Sequence, residues 1–168
     1  MARTGYVARI REKIGSDLLM LHAVSVLVFD TKGRVLLAQQ RGGDFWMTVG
    51  GAVEIDETPA EAAMREFWEE TGTIVRITRV LGVFGGPDFR VTYGNGDAVA
   101  YTSVAFEAEL VSGIPAPDGR ELARLAWFSP DEIAQAKMAD GMRRLLLNCV
   151  AGRSETYFDT ADWMPPSR

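Results

Sequence analysis

The chain has 168 residues, of which 47% are hydrophobic, and this is enough to build one well-buried domain, so we expect a single domain over residues 1–168. The formal net charge of -5 disfavours non-specific binding to nucleic-acid backbones, and we expect no stable nucleic-acid partner. One cysteine, Cys149, excludes an internal disulfide and is typical of a reducing compartment.

Residues 1–20 predict a short lead-in helix. Apolar residues recur there at helical spacing before Gly15, at Tyr6, Val7, Ile10 and Ile14. Charged residues interrupt this segment, so it does not resemble a targeting signal, and the apolar run 18–29 is too short to span a bilayer. We therefore expect a cytoplasmic protein with no membrane partner.

The next apolar runs predict a β-hairpin. Residues 24–29 and 34–39 have the composition of strands, and residues 30–33 form a turn between them. The loop that follows carries Arg41, whose planar guanidinium suits phosphate oxygens. It also carries Trp46, which would belong either to the core or to the wall of a binding site.

Residues 59–71 predict the best-defined helix of the chain. Thr58, Pro59 and Glu61 form a capping box with proline at the first helical position. Gly72 supplies the left-handed residue at which such a helix ends.

Three glutamates of this helix lie in one stripe, because residues three and four apart are neighbours on a helix surface. They are Glu66, Glu69 and Glu70. The other side is apolar and is expected to pack on the core through Ala60, Ala63, Met64, Phe67 and Trp68. Hard divalent cations prefer carboxylate oxygens, and magnesium is usually held by one or two carboxylates together with substrate phosphates. The stripe indicates a divalent-metal site, with a solvated acidic face as the alternative.

Three further strands are predicted after the helix. Residues 74–84 form a long β-branched run, and residues 89–93 with 98–111 form a hairpin around an Asn95-Gly96 turn. Residues 113–120 are rich in proline and glycine and predict a mobile loop.

The C-terminal part predicts one strand, two helices and a tail. The strand covers residues 121–128, a capping box at 129–132 begins the first helix, and the second helix covers about 142–150 with Cys149 in the core. Residues 153–168 show no periodicity and would lie on the surface or on a neighbour. Strands that alternate with helices favour an α/β arrangement.

The order and spacing of the charged and glycine residues in the middle of the chain resemble the signature of the Nudix hydrolases. The matching residues are Gly51, Glu57, Arg65, Glu66, Glu69, Glu70 and Gly72. Phe67 and Thr73 replace residues that are usually aliphatic in the family, and Val49 replaces the customary proline before Gly50 and Gly51. None of these departures removes a charged residue of the signature.

The resemblance implies the Nudix-type α/β/α sandwich, in which a mixed β-sheet lies between helices. It also implies Mg²⁺-dependent hydrolysis, with Mn²⁺ as a possible substitute, of a diphosphate linkage in a nucleoside diphosphate joined to another group X. The partner would thus be a small nucleotide diphosphate, and a homodimer would be usual for the family.

The family pattern also implies roles for individual residues. Glu66, Glu69, Glu70 and the Gly51 carbonyl would bind metal, with Glu57 supporting the metal set from the loop. Arg65 would orient a glutamate by charge-assisted hydrogen bonds. The general base stays open between Glu66 and Glu69 on the helix and Glu121 or Asp118 beside the proline-glycine loop. Arg41, Trp46, Phe89 and Arg90 are the candidates for substrate binding, although aromatic residues in such strands are more often part of the core.

Two alternatives use the same fold without this reaction. A nucleotide-sensing or regulatory module usually lacks some of the signature carboxylates, all of which are present here. An isomerase of isoprenyl diphosphates normally needs a reactive cysteine and several histidines, whereas this chain has one late cysteine and one early histidine. The identity of X is left open by the sequence.

Overall fold

The computed structural model describes residues 5–151, 155–161 and 163–165. Within them the helices are α1 (Gly5–Ile14), α2 (Pro59–Thr71), α3 (Pro130–Gln135) and α4 (Asp140–Ala151). The strands are β1 (Leu19–Val28), β2 (Val35–Gln40), β3 (Trp46–Met47), β4 (Ile74–Phe84), β5 (Arg90–Thr92), β6 (Ala98–Ser112), β7 (Leu122–Phe128) and β8 (Tyr157–Phe158). None of the helices in these segments is long and apolar enough to cross a membrane.

Two sheets organise the described residues. The larger is mixed and has the order β1-β6-β4-β8, with β5 also paired to β6. Strand β1 runs parallel to β6, whereas β4 runs antiparallel to β6. The smaller sheet is antiparallel in the order β3-β2-β7. The predicted α/β class with a mixed sheet is confirmed.

Helices cover both faces of the larger sheet because its strands are apolar on both sides. Val24, Val26 and Val28 of β1 pack with Phe67 of α2 in one buried cluster. Leu27 of β1 belongs to a second cluster, which contains the buried α4 residues Leu145, Leu146 and Cys149. Alternate side chains of one strand thus face different helices, as expected for a sandwiched sheet. The predicted burial of Cys149 is confirmed.

The predicted hairpin of residues 24–29 and 34–39 is wrong, although its turn exists. Asp30 closes the turn by accepting hydrogen bonds from the backbone N–H groups of Lys32 and Arg34. Strands β1 and β2 then diverge into different sheets and meet only at a bridge between Phe29 and Val35. The reason is that β6 and the segment 49–53 occupy the two hydrogen-bonding edges of β1.

The predicted bounds of α2 are confirmed, and its predicted apolar face is correct for Ala60, Ala63 and Phe67 but wrong for Met64 and Trp68. The Thr58–Glu61 capping box is present, and Gly72 ends the helix in the left-handed conformation. Met64 and Trp68 are 42% and 57% exposed instead of packing on the core. The buried face is thus turned away from these two residues, and it includes Glu70, which lies in the protein interior.

Helix α1 and strand β8, the first and last described elements, both contact the larger sheet. Helix α1 confirms the lead-in helix, and the buried Arg11 donates hydrogen bonds to the carbonyls of Gly15, Asp17 and Ala98. The segment expected to lack structure contributes β8, which pairs in parallel with β4. Tyr157 stacks on Phe84 with ring centroids 5.1 Å apart. Residues 153, 154, 162 and 166–168 of that predicted tail lie outside the described residues.

Candidate active site

Helix α2 presents its three glutamates at the border between the core and solvent. The Glu69 side chain is 49% exposed and the Glu66 side chain 17% exposed, whereas Glu70 is buried with 7% exposure. The orientation of α2 that buries Phe67 accounts for this gradient, because at about 100° per residue Glu70 is nearest to Phe67 around the helix, Glu66 is further round on the same side, and Glu69 is almost opposite. The acidic stripe is therefore partly buried.

The double glycine, Gly50-Gly51, lies directly against these carboxylates. The Gly50 N–H donates a hydrogen bond to Oε2 of Glu70 at 3.1 Å. A Cβ atom on Gly51 would come within 2.5 Å of the Glu66 carboxyl carbon, so a larger residue at 51 requires Glu66 to move. The Gly51 carbonyl accepts the Val24 N–H at 2.9 Å. A carbonyl oxygen has a second lone pair, so this bond leaves one for another partner.

Arg65 connects the carboxylates of the site to one another. Its Nε and Nη2 atoms donate to the two oxygens of Glu57, each at 2.8 Å. Its Nη1 atom donates to Glu66 at 2.8 Å and to Glu69 at 3.1 Å, and Nη2 also bonds the Ala52 carbonyl at 3.0 Å. The hydrogen bonds from Arg65 lower the pKa of Glu57, and those to Glu57 raise the pKa of Arg65 further above its usual value.

The geometry gives Glu57 a partner that the sequence did not predict, and its support of the metal set stays a prediction. Both of its carboxylate oxygens are bonded to Arg65, and one of them also accepts the Glu54 N–H at 3.1 Å. A bidentate pair of an arginine and a carboxylate is among the stronger hydrogen-bonded interactions of side chains. Glu57 therefore holds Arg65, and Arg65 in turn holds Glu66 and Glu69.

Burial and mutual repulsion make the negative charge of the site costly. Burial is the main cause that raises the pKa of Glu70 to about 8, and the charges of Glu66, Glu121 and Asp118 add to it against the Gly50 hydrogen bond. Burial also raises the pKa of Glu66, while Arg65 opposes the rise. A proton or a cation at this place is thus favoured.

Loop 113–121 brings further carboxylates to the same place. The Asp118 N–H donates to the Glu70 carbonyl at 3.0 Å, and the Ala116 N–H donates to the Thr71 carbonyl at 3.2 Å. These bonds attach the loop to the C-terminal end of α2. The Asp118 carboxylate accepts the Glu121 N–H at 3.1 Å, so Glu121 belongs to the part of the loop that is attached to α2, and its charge contributes to the raised pKa of both Glu66 and Glu70.

Arg41 lies on the opposite side of that loop, whereas Trp46 is further along. The Arg41 backbone N–H donates to the Glu121 carbonyl at 2.8 Å, and its Nη1 donates to the Gly119 carbonyl at 2.9 Å. The half-buried Trp46 ring contacts Phe128 at a centroid distance of 4.8 Å, and the Arg124 guanidinium lies 5.4 Å from its centroid. Arg41 is thus close to the acidic site, whereas Trp46 packs against the hydrophobic cluster on the α4 side of the sheet.

Phe89 was predicted to contact the substrate, but it is buried in the core. Phe89 is buried in the cluster on the α4 side of the sheet, 6.0 Å from the Phe84 ring and 5.4 Å from the Arg144 guanidinium. Helix α2 and its glutamates lie on the other side. Phe89 is a core residue of this fold.

Arg90 differs from Phe89 because it is exposed beside a groove. It lines a pocket of about 210 Å³ that also contains Thr102. Thr102 is shared with a second pocket of about 300 Å³, which reaches Val53 and Pro59 at the start of α2. A groove therefore leads from the segment before α2 towards Arg90.

The donor chemistry of this site fits a hard divalent cation, although the side chains do not converge. Among the residues that the structure describes, no group of three or more histidine, cysteine, aspartate or glutamate side chains is arranged to hold a metal ion. Arg65 accounts for this, since it engages Glu66 and Glu69. The donors themselves are carboxylate oxygens, the type that magnesium prefers, and the raised pKa of Glu70 marks a place that favours positive charge.

Two features of the site were not predicted from the sequence. Burial of Glu70 depends on the rotation of α2, for which the sequence had no marker. The hydrogen bonds of Asp118 to the Glu70 carbonyl and to the N–H groups of Glu121 and Leu122 were also not predicted. The Asp118-Gly119 pair could have indicated them, because aspartate followed by glycine often closes a turn with its own side chain.

Comparisons with known proteins agree with this architecture. The family model described as NUDIX domain matches residues 20–149. A MutT-like protein from Streptomyces ambofaciens is 31% identical over 134 residues, which cover 79% of this chain and 79% of that protein. A putative 8-oxo-dGTP diphosphatase from Bacillus subtilis is 30% identical over 108 residues, which cover 64% of this chain and 66% of that protein.

Solved structures share the fold at lower identity. The crystal structure of a UDP-X diphosphatase has a TM-score of 0.68 and 24% identity, with 91% of this chain and 73% of that chain covered. The crystal structure of a MutT protein from Methanosarcina mazei Go1 has a TM-score of 0.67 and 21% identity, with 83% and 98% covered. At these identities the likeness establishes the arrangement of helices and sheets.

Proposed function

Because this chain belongs to the Nudix hydrolase family, we propose that it hydrolyses a diphosphate linkage in a nucleoside diphosphate joined to another group X, with a divalent metal ion as cofactor. The observation that carries this proposal is the partly buried acidic site between α2, the double glycine and loop 113–121. The names of two relatives, a putative 8-oxo-dGTP diphosphatase and a dihydroneopterin triphosphate diphosphatase, support a small phosphorylated substrate without selecting X.

The residues that would hold Mg²⁺, or Mn²⁺ in its place, are Glu66, Glu69, Glu70 and the Gly51 carbonyl. When bound, such an ion neutralises phosphate oxygens and lowers the pKa of a coordinated water. The protein itself contributes the fixed positions of these oxygens. The Gly50 N–H holds Glu70, and the absence of a side chain at Gly51 lets Glu66 approach the backbone.

Arg65 and Glu57 would act as supports for this set. The bidentate pair fixes the guanidinium of Arg65, which then restricts the positions of Glu66 and Glu69. A residue that orients ligands in this way typically affects metal affinity or activity by about 10- to 100-fold when removed. Arg65 therefore competes with a cation for the two glutamates and keeps them in place when no substrate is bound.

The proton of the attacking water would be accepted by Glu121. Glu66 and Glu69 are engaged by Arg65, whereas Glu121 reaches the same acidic site from a separate segment. A loop carboxylate next to the glutamates is suited to contact substrate and water together. Glu66 and Glu69 remain the alternatives for this role.

The substrate would lie between the acidic site and the groove on the α2 side of the sheet. Arg41 is exposed beside loop 113–121 and would bind a phosphate group. The groove past Val53 and Thr102 towards Arg90 would receive the non-phosphate end. A homodimer and a cytoplasmic location also stay predictions.

The test is a panel of nucleoside diphosphates linked to different groups, assayed with Mg²⁺ and with Mn²⁺ and analysed by product mass. We expect cleavage between the two phosphorus atoms of at least one compound, and loss of activity after exhaustive chelation. Undiminished activity in the chelated protein would contradict the metal assignment. Tight nucleotide binding without turnover of any compound would favour the nucleotide-sensing alternative.

A further inference from the structure

We propose that Asp118 is a positioning residue that fixes the backbone of Glu121, so that the Glu121 side chain faces the glutamates of α2. This inference rests on the proposed function, in which Glu121 takes part in hydrolysis. It assigns to Asp118 a role different from that of a base or a metal ligand.

Asp118 joins the helix and the loop through two different groups. Its backbone N–H donates to the Glu70 carbonyl at 3.0 Å. Its side-chain Oδ1 accepts the Leu122 N–H at 2.8 Å and the Glu121 N–H at 3.1 Å, and Oδ2 lies 3.2 Å from the same Glu121 nitrogen. One residue therefore sets the distance between the backbone of Glu70 and the backbone of Glu121.

The turn that Asp118 closes is also held from its outer side. The Gly119 N–H donates to the Leu122 carbonyl at 3.1 Å, and Gly119 has a φ of 71°, which favours glycine. Arg41 donates its backbone N–H to the Glu121 carbonyl and its guanidinium to the Gly119 carbonyl. Without the Asp118 side chain, the two N–H groups inside the turn would lose their acceptor while the outer bonds remain.

The orientation of the Asp118 carboxylate distinguishes this role from direct chemistry. Its oxygens face backbone N–H groups, and these bonds lower the pKa of Asp118 against the opposing effect of burial. Because Oδ1 alone accepts both N–H groups, an asparagine has the oxygen needed for the same bonds without the charge. The charge of Asp118 is therefore dispensable for positioning, whereas a base or a metal ligand needs it.

The experiment compares Asp118→Ala, Asp118→Asn and Glu121→Gln with the wild-type chain, using the best substrate of the panel and saturating Mg²⁺. Asp118→Ala should lower kcat by about 10- to 100-fold, because small misplacements of a reacting group have effects of this size. Asp118→Asn should stay within about threefold of wild type, since it restores the bonds. In the double variant, Asp118→Ala should add no further loss to that of Glu121→Gln, because both changes act through the same group.

Amide hydrogen exchange at Glu121 and Leu122 gives a readout that does not depend on activity. Exchange should accelerate in Asp118→Ala and stay near wild type in Asp118→Asn. If the alanine variant fails to fold, Asp118→Ser replaces it, because a serine hydroxyl closes such turns more weakly.

Each outcome separates this inference from the function on which it rests. Equal losses of kcat in the alanine and asparagine variants would overturn the positioning role and assign the Asp118 charge to the chemistry. A normal kcat in Asp118→Ala with a large loss in Glu121→Gln would overturn it while preserving the role of Glu121. A Glu121→Gln variant with turnover within about threefold of wild type would instead contradict the proposed base, whose removal should cost about 10² to 10⁴.

Discussion

Replacing Glu70 by glutamine should make the metal-free protein more stable at alkaline pH while lowering its turnover by several orders of magnitude. Glu70 is buried, and its Oε2 accepts one hydrogen bond from the backbone N–H of Gly50. This bond compensates only weakly for the burial of the charge. Glutamine has nearly the same shape and keeps an oxygen for that bond. The substitution therefore removes the charge with little change in packing.

The magnitude follows from the pKa of Glu70, which burial and neighbouring charges raise from 4.5 to about 8. A carboxyl with a raised pKa binds its proton more tightly in the folded state, so the free energy of unfolding falls as pH rises from 4.5 to about 8 and is level above that. At about 1.4 kcal/mol for each pH unit, the loss amounts to about 5 kcal/mol as an upper limit. A buried glutamine N–H₂ without a partner costs about 1 to 3 kcal/mol at every pH, so we expect a net gain of about 2 to 4 kcal/mol at pH 9.

The assay is urea unfolding in the presence of a chelator at pH 5, 7 and 9. The difference in unfolding free energy between Glu70→Gln and wild type should increase steadily with pH. Glu69→Gln is the matched control, because this half-exposed residue on the same helix should change stability by less than about 1 kcal/mol. A Glu70→Gln difference that is independent of pH would refute the assignment of a buried, repelled carboxylate.

Three further predictions test the packing and the site. Phe67→Ala should lower the free energy of unfolding by about 3 to 5 kcal/mol in urea titrations, whereas Trp68→Ala on the exposed side should change it by less than about 1 kcal/mol. Equal losses would contradict the observed rotation of α2. Gly51→Ala should lower kcat by at least about 10², since its Cβ displaces the Glu66 carboxylate, with a smaller effect on thermal unfolding. Glu69→Gln should lower turnover by several orders of magnitude, and near-normal turnover at saturating Mg²⁺ would exclude Glu69 from the metal set.

Features that depend on nearby residues were predicted well from the sequence. The capping box at Thr58 and Glu61 and the left-handed Gly72 set the ends of α2, and all their determinants lie within one turn of those ends. The strand Ile74–Phe84 and the second hairpin were likewise predicted, because β-branched composition and an Asn95-Gly96 turn are local signals. The acidic stripe was predicted from the helical spacing of its glutamates and from the signature, and the metal-binding roles of these residues stay predictions.

Features that depend on distant partners were predicted poorly. The first turn was identified from Asp30, but no local signal shows that β1 pairs with a strand about 80 residues later, as in Val24 with Val104. Phe89 was assigned to the substrate because of its place in the second hairpin, whereas it is buried in the cluster that contains α4 residues. Glu57 was expected to support the metal set because the signature contains it, but its bidentate pairing with Arg65 was not predicted.

The exposed Met64 and Trp68 show how stability and function conflict in this helix. The most apolar stripe of the helix includes Met64 and Trp68, and packing all of it on the sheet would leave the glutamates in water with ordinary acidity. In the observed helix Phe67 packs on the sheet, Met64 and Trp68 are exposed, and Glu70 is buried and held against Gly50. The exposed Trp68 and the buried Glu70 have the same structural cause. The pH-dependent gain in unfolding free energy expected for Glu70→Gln measures how much the burial of Glu70 destabilises the metal-free protein.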